Sequence, residues 1–362
     1  MIDVVTLTDG GQSAHDVAVR LGGFLAKAER TLDIAVYDFA LSPEVAAPVV
    51  HAVKSAAAHG VAVRIAYNVD HDRPIPVPPP PRTDTPLVES LAVPARAIPG
   101  VPDLMHHKFV VRDGSSVWTG SMNWTDDSWT REENVIVTLD SETIAGDFTR
   151  DFEDVWSRRA VAGTGEFDPD PDTLDGALVQ PWFSPGRGRR IAHRIATALG
   201  RAERRIRIAS PVLTAGPILG TLAEIAASHV VDLAGVVDAT QMQEVHGQWR
   251  DDPHAAWKIP AFASVAGNTP FSGKRSTPYG PGTVHDYMHT KVTVADDVVF
   301  VGSYNLSHSG QENAENVLEI KDAPLADRMA RFVDEVRGRY PRLTLPTRVR
   351  SPENAAGGPA DG

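Results

Sequence analysis

Behind Ser13, apolar residues recur at helical spacing: Val17, Leu21, Phe24, Leu25 and Ala28 define one face of a helix with a hydroxyl side chain at its N-cap. The run Leu32-Asp33-Ile34-Ala35-Val36-Tyr37 then has strand character. A second helix is predicted from Pro43 to Ala58, closed by His59-Gly60, and a second strand from Val61 to Tyr67. The same order returns later in the chain. Ile191 to Leu199 reads as helix, Ile206 to Ser210 as strand, Ile218 to Ser228 as helix, and Val230 to Val237 as a nearly continuous apolar run typical of a buried strand. Strand-helix-strand order occurring twice predicts α/β layers with covered sheets, and a repeat period near half the chain rather than the short period of a solenoid.

A chain of 362 residues exceeds the usual single-domain size. The duplication divides it into a half at 1–160 and a half at 191–345. A Gly-, Pro- and Asp-rich linker at 161–190 joins them, and a polar tail at 346–362 is expected to be disordered. Each half also holds a long irregular stretch, from Asp70 to Leu104 with the proline run Pro78 to Pro81, and from Asp238 to Tyr287. Loops of that length are commonly functional, so these read as the walls of an active-site entrance, with plain insertion as the alternative.

Composition narrows the chemistry. With 42% hydrophobic and 23% charged residues the chain is an ordinary globular one, and no uncharged apolar run is long enough to span a bilayer, so an integral membrane segment is not expected. The N-terminus lacks the basic and apolar regions of a secretory signal, and there is no cysteine, so the cytoplasm is the expected compartment. Without cysteine, disulfides, thiolate nucleophiles and cysteine-based zinc sites drop out. A net charge of -12 sets a field that repels polyanions, although local basic patches can override it.

Two matching motifs carry the chemistry. The first reads Met105-His106-His107-Lys108 and continues through Phe109-Val110-Val111-Arg112 to Asp113; the second reads Met288-His289-Thr290-Lys291 and continues to Asp296. Gly120-Ser121-Met122-Asn123 follows the first, and Gly302-Ser303-Tyr304-Asn305 the second. On a strand, His106 and Lys108 share a face, as do His289 and Lys291, while His107 points the other way and reads as packing. Asp113-Gly114 and Asp296-Asp297 form turns before a return strand, which suggests structural work for Asp113 and Asp296. Further on, Glu133-Asn134 matches Glu315-Asn316, so each half offers a carboxylate that can accept a hydrogen bond from one imidazole nitrogen and raise the basicity of the other. Isolated histidines and lysines are mostly solvated surface groups; two equivalent copies with the same flanking elements are not.

His-x-Lys-x4-Asp followed by Gly-Ser-x-Asn, occurring twice, resembles the signature of the phospholipase D superfamily, and the resemblance spans both halves. It implies an α/β fold of two similar halves with mixed sheets flanked by helices, related by a pseudo-twofold axis, with the paired motifs meeting at the interface. A duplicated chain of this kind is catalytically complete as a monomer. The resemblance further implies a metal-independent phosphodiesterase with no cofactor. His106 would form a phosphohistidine and His289 would protonate the leaving group, or the reverse. Lys108 and Lys291 would clamp the non-bridging oxygens, Asn123 and Asn305 would add hydrogen bonds, Ser121 and Ser303 would support phosphate or imidazole, and Glu133 and Glu315 would orient the histidines.

The catalytic core does not select the substrate. Acidic charge and the aromatic residues of the second long stretch favour a phospholipid, hydrolysed at its headgroup to give phosphatidate, with Trp257, Tyr279, His285 and Tyr287 as candidate substrate contacts. Lys258, Lys274 and Arg275 in the same stretch keep an endonuclease acting on DNA or RNA as the alternative. A catalytically silent binding module of the same fold is a third reading, opposed by the presence of all four His and Lys residues.

Overall fold

A computed structural model describes residues 2–69, 83–280 and 282–344. The proline run Pro78 to Pro81 and the expected tail at 346–362 lie outside the described residues. The first half runs β1 (Ile2–Leu7), α1 (Ala14–Leu25), β2 (Thr31–Val36), β3 (Phe39–Ala40), α2 (Pro43–Ala58), β4 (Ala62–Val69), α3 (Thr85–Ser90) and β5 (Ala95–Pro99). It continues with β6 (Lys108–Arg112), β7 (Ser116–Gly120), β8 (Trp124–Thr125), α4 (Asp126–Thr130), β9 (Asn134–Asp140) and α5 (Glu142–Arg158). The start of α1 obeys its sequence signal: Ser13 accepts from the Asp16 N–H at 3.1 Å and Asp16 accepts from the Ser13 N–H at 3.3 Å, a reciprocal capping box.

The second half runs β10 (Asp172–Leu174), β11 (Ala177–Ser184), α6 (Gly188–Gly200), β12 (Arg205–Ser210), α7 (Gly216–Ser228), β13 (Asp232–Asp238), α8 (Ala239–Asp251) and α9 (Lys258–Asn268). After these come β14 (Phe271–Lys274), β15 (Val292–Ala295), β16 (Val298–Gly302), α10 (His308–Glu312), β17 (Glu315–Lys321) and α11 (Ala323–Arg339). One sheet has the order β1-β9-β7-β6-β2-β4-β5 and the other β10-β11-β17-β16-β15-β12-β13-β14. Apart from β10 the two are the same sheet: β2–β4–β5 and β12–β13–β14 are parallel and every other pairing is antiparallel.

Three stretches read as irregular contain ordered elements. Part of 161–190 forms β10 and β11, and β11 fills in the second sheet the place of β1 in the first, as antiparallel partner of the last strand. Its signal is the alternation of buried Ala177, Val179, Pro181 and Phe183, which the surrounding Gly, Pro and Asp residues mask. The second long stretch, 238–287, contains α8, α9 and β14, and the described part of the first contains α3 and β5. Helix α8 buries only Met242 and Trp249, too few apolar positions to announce itself by periodicity.

The core forms three apolar layers, of which the central one joins the halves. Helices α1 and α2 cover the outer face of the first sheet, α6, α7 and α9 the outer face of the second, and α5 and α11 fill the middle with both inner faces. Phe148 of α5 links the sheets, with its ring 5.1 Å from Phe109 of β6 and 5.0 Å from Phe183 of β11, both edge-on.

Asp113 and Asp296 fix the motif hairpins to the rest of each sheet. Asp113 accepts from the backbone N–H groups of Glu29 (3.0 Å), Arg30 (2.6 Å) and Thr31 (2.9 Å) at the start of β2. Asp296 accepts from Glu203 (2.8 Å), Arg204 (2.9 Å) and Arg205 (3.0 Å) at the start of β12. Partial burial opposes ionisation of both carboxyls, but the converging N–H groups outweigh it and hold their pKa values below the ordinary one. Both residues have positive φ, 56° and 50°, which Asp tolerates better than Ala. We predict that Asp296→Asn lowers stability by about 1–2 kcal/mol through loss of charge-assisted hydrogen bonds, and that Asp296→Ala adds about 1 kcal/mol of left-handed strain. Because the folded-state pKa is depressed, the charge contribution is present above the unfolded pKa and fades as pH falls through the folded one. Urea titrations of both variants at pH 7 and pH 3 measure this; equal losses at the two pH values would refute it.

Candidate active site

Strand β6 begins at Lys108 and β15 one residue after Lys291, and the residues just before these lysines reach across to the other half. His106 N–H donates to Ala314 O at 2.9 Å, Ala314 N–H to Leu104 O at 2.8 Å, and Met105 and Met288 form parallel bridges with Ala314 and Glu133. Each His-x-Lys segment therefore lies along the entrance to the other half's last strand. The amides of the two methionines are pinned equivalently, Met105 to Asn68 Oδ1 at 2.9 Å and Met288 to Asp238 Oδ2 at 3.0 Å.

These crossings bring His106, Lys108, His289 and Lys291 together as buried side chains. Lys108 Nζ donates to His106 O at 2.6 Å, and Lys291 Nζ to His289 O at 2.6 Å, so each motif folds its lysine back on its histidine. Tyr37, which the sequence did not single out, stands edge-on to the His106 ring at 4.6 Å, with Lys108 Nζ 4.7 Å from its ring centre. Its only signal was its place at the end of β2, beside the motif strand.

The imidazoles are oriented across the interface. His106 Nδ1 is 2.8 Å from Glu315 Oε2 in the second half. His289 Nδ1 is 3.1 Å from Asn134 Oδ1 and 3.4 Å from Glu132 Oε2 in the first. The expectation that Glu133 orients a histidine is therefore corrected. Glu133 is buried on the opposite face, where it accepts from Lys274 Nζ at 3.0 Å and from the Tyr340 hydroxyl. Lys274 also meets Arg131 O at 2.7 Å and Asp9 at 3.1 Å, so this ion cluster fastens the halves.

A register difference causes the misassignment. Ser121 N–H donates to Val135 O, but Ser303 N–H donates to Asn316 O, one residue nearer in sequence. The first half thus carries one extra residue before its last strand, which places Asn134 where the second half has Glu315 and turns Glu133 to the other face. Equal counting from Gly-Ser cannot detect that. The better signal was reciprocal: Glu132-x-Asn134 against Asn313-x-Glu315, an acid and an amide two apart in opposite order. In both halves the two side chains meet, Asn134 Nδ2 to Glu132 Oε2 at 3.2 Å and Asn313 Nδ2 to Glu315 Oε1 at 3.4 Å.

Ser121 and Ser303 serve these orienting residues. Ser121 Oγ donates to Asn134 Oδ1 at 2.7 Å and accepts from Val135 N–H at 2.9 Å, and Ser303 Oγ bonds Glu315 and accepts from Asn316 N–H at 3.0 Å. Asn123 and Asn305 have buried amide oxygens without a partner among the described residues. His107 packs as expected, buried with Nε2 2.8 Å from Asp151.

A cavity of about 370 Å³ opens beside His106 and Asn305, between α8 and the chain before the second motif. Tyr279 and Tyr287 line it. His285 is buried between them, 6.0 and 5.2 Å from their ring centres, whereas Trp257 is 47% exposed and lies outside the lining.

Burial drives the site toward neutrality. It pushes both histidines well below their ordinary pKa, the neighbouring lysine charges adding to the effect, and it lowers Lys108 to about 7 and Lys291 in the same direction. Desolvation raises Glu132 to about 7 and Glu315 to about 8. An anion between the lysines reverses the trend for them, because it supplies the charge that burial lacks.

The family model described as "Cardiolipin synthase, PLD-like domain" matches residues 22–156 and 195–337, one match per half. The chain belongs to the phospholipase D superfamily. Mitochondrial cardiolipin hydrolase of Xenopus tropicalis is 41% identical over 66 residues, 18% of this chain and 27% of that protein. The Homo sapiens protein of the same name is 40% identical over 58 residues, 16% and 23% respectively. The chain thus spans about a quarter of the length of these curated relatives. Phosphatidylserine synthase from Haemophilus influenzae superposes with a TM-score of 0.61 at 12% identity, covering 93% of this chain and 86% of that one. Polyphosphate kinase from Porphyromonas gingivalis gives 0.57 at 12%, covering 92% and 50%. At such identity both show a shared fold alone. No helix among the described residues is long and apolar enough to cross a membrane.

With its pKa lowered to about 7 by burial, Lys108 loses its charge above that pH, so binding an anion beside it takes up protons. We predict that the affinity for sulfate, which does not titrate in this range, weakens as pH rises from 6.5 to 8.5 by up to about tenfold per unit. Calorimetry in buffers of different ionisation enthalpy measures the proton uptake; proton release, or constant affinity, would contradict the charge balance described.

Proposed function

We propose that the chain hydrolyses phospholipid phosphodiesters through a phosphohistidine, giving phosphatidate and a free headgroup alcohol. The observation that carries this reading is the pair of buried histidines, each with Nδ1 held by the opposite half, flanked by two buried lysines. With Glu315 ionised, its carboxylate accepts the His106 Nδ1 proton and leaves the Nε2 lone pair to attack phosphorus. As the P–N bond forms the P–O bond breaks, and the leaving oxygen takes a proton from His289, which is charged once the anionic diester offsets its burial and the neighbouring lysines. A water then gives a proton to His289 and attacks phosphorus, breaking the P–N bond and freeing His106.

The different partners support this division of labour. A carboxylate at 2.8 Å favours the more basic, more nucleophilic imidazole, and His106 has it. His289 faces an amide oxygen first, with Glu132 farther away, which suits a group that must release its proton. Lys108 and Lys291 balance the non-bridging oxygens, and Asn123 and Asn305 add donors as charge builds. A single chain carries both motifs, so a monomer suffices. The cytoplasm remains the expected compartment, on the absence of cysteine.

For substrate, the acidic net charge and the carboxylates of Glu244 and Asp252 at the cavity oppose a polyanionic strand. The cardiolipin chemistry in the names of the family and its relatives points the same way. Turnover of short-chain phospholipids, compared with single- and double-stranded DNA and RNA in EDTA, tests the reading. Lipid hydrolysis is expected, with kcat falling about a thousandfold or more in His106→Ala and His289→Ala. Cleavage of nucleic acid without lipid turnover would make the chain a nuclease, and activity surviving both substitutions would remove the mechanism.

A further inference from the structure

Beneath the first motif lies a buried polar chain that the reaction steps leave unused. Asp151 is the one charged residue in the buried stripe of α5, between Phe148 and Val155. Its Oδ2 lies 2.8 Å from His107 Nε2, and neither carboxyl oxygen has another hydrogen-bond partner among the described residues. Burial raises the carboxyl's pKa, and His107 beside it opposes the rise. With the Nε2 proton turned toward Asp151, Nδ1 keeps its lone pair, and Asn316 Nδ2 stands 3.3 Å from it as donor. Asn316 Oδ1 in turn accepts from Thr119 Oγ1 at 2.7 Å. The donors therefore run one way, from Thr119 through Asn316 and His107 to Asp151, crossing from the first half to the second and back.

Both ends of the His106–Glu315 contact are attached to this chain. His107 follows His106 in the motif and Asn316 follows Glu315 in β17, so the contact between His107 and Asn316 ties together the two backbones that carry the site residues. A buried acid–imidazole pair is seldom more stabilising than well-packed apolar residues in its place. The second half shows the less polar alternative: Thr290, Val135, Val301 and Phe332 stand at the matching positions, and the Thr290 hydroxyl has no partner among the described residues. These matches follow from the motif, from the Ser121–Val135 and Ser303–Asn316 backbone bonds, and from the helix N-caps Ser141 and Asp322. Among the described residues the chain thus supports one histidine and not the other. Resting on the assignment of His106 as nucleophile, we propose that Asp151, His107, Asn316 and Thr119 are positioning residues that hold His106 against Glu315 and so speed its attack on phosphorus, with no contact to substrate.

Bis(p-nitrophenyl) phosphate is the probe, because its good leaving group needs little help from an acid. Release of the first p-nitrophenol with enzyme in excess measures attack, and decay of the phosphohistidine once the diester is exhausted measures breakdown. Asn316→Val and Thr119→Val, which install the residues of the other half, should slow attack by about tenfold to a hundredfold. Breakdown, in which phosphorus itself holds His106, should change by less than about threefold. Thr119→Val is nearly isosteric, so it tests the network even where Asn316→Val does not fold. Asp151→Leu should also slow attack, whereas Asp151→Asn, whose amide oxygen still accepts from His107, should recover most of the rate. Thr290→Val, at the matching place beside His289, should leave both steps as they are. Equal slowing of attack and breakdown, attack unmoved by Asn316→Val and Thr119→Val, or slowing by Thr290→Val as great as theirs would overturn the inference, while wild type still labelled on His106 keeps the phosphodiesterase reading. Wild type without turnover, or labelled on His289, would instead remove the nucleophile assignment and the network's role with it.

Discussion

Neither half of this chain orients its own histidine. Glu315 from the second half holds His106, Asn134 with Glu132 from the first half holds His289, and the bridges Met105–Ala314 and Met288–Glu133 set both distances. The catalytic geometry is thus a property of the interface, and the central apolar layer, the Phe109–Phe148–Phe183 ring chain and the buried Lys274–Glu133 pair all serve to keep that interface in one register. A shift along a strand by one residue would exchange orienting side chains for core ones, because alternate residues face opposite ways.

Within that frame the two halves are equivalent in backbone and unequal in chemistry. The acid and the amide beside each histidine are present twice but in opposite order, so one imidazole meets a carboxylate and the other an amide oxygen. A duplicated fold brings two histidines together from equivalent places, and a single exchanged pair gives them different hydrogen-bond partners. Burial acts on both sides alike: it moves the lysines and the carboxylates toward neutrality, a trend that an anion held between the lysines would reverse for them.

Much of this was legible in the sequence because the informative residues repeat. Two His-x-Lys-x4-Asp copies with Gly-Ser-x-Asn pointed to the family, and the turn position of Asp113 and Asp296 suggested a structural task; in the fold both carboxylates accept backbone N–H groups at the starts of β2 and β12. What the sequence hid is physical in origin. An extra residue before β9 leaves no trace in a count from Ser121, so Glu133 was read for a place that Asn134 occupies. Strand β11 was concealed by the proline within it and the glycines around it, and α8 by a face that is mostly polar because it borders a cavity. Tyr37 had no motif at all; only proximity in the folded sheet brings it to His106.

The proposed mechanism makes His106 the nucleophile of a site shared between halves. Rapid quenching during turnover of a soluble diester labelled in the group that remains on phosphorus, followed by mapping of acid-labile, base-stable label, tests it most directly. The label is predicted on His106 alone, and to accumulate when His289 is replaced by Ala and breakdown is slowed. Label on His289 alone would reverse the assignment, and turnover with no phosphohistidine at either position would contradict the mechanism.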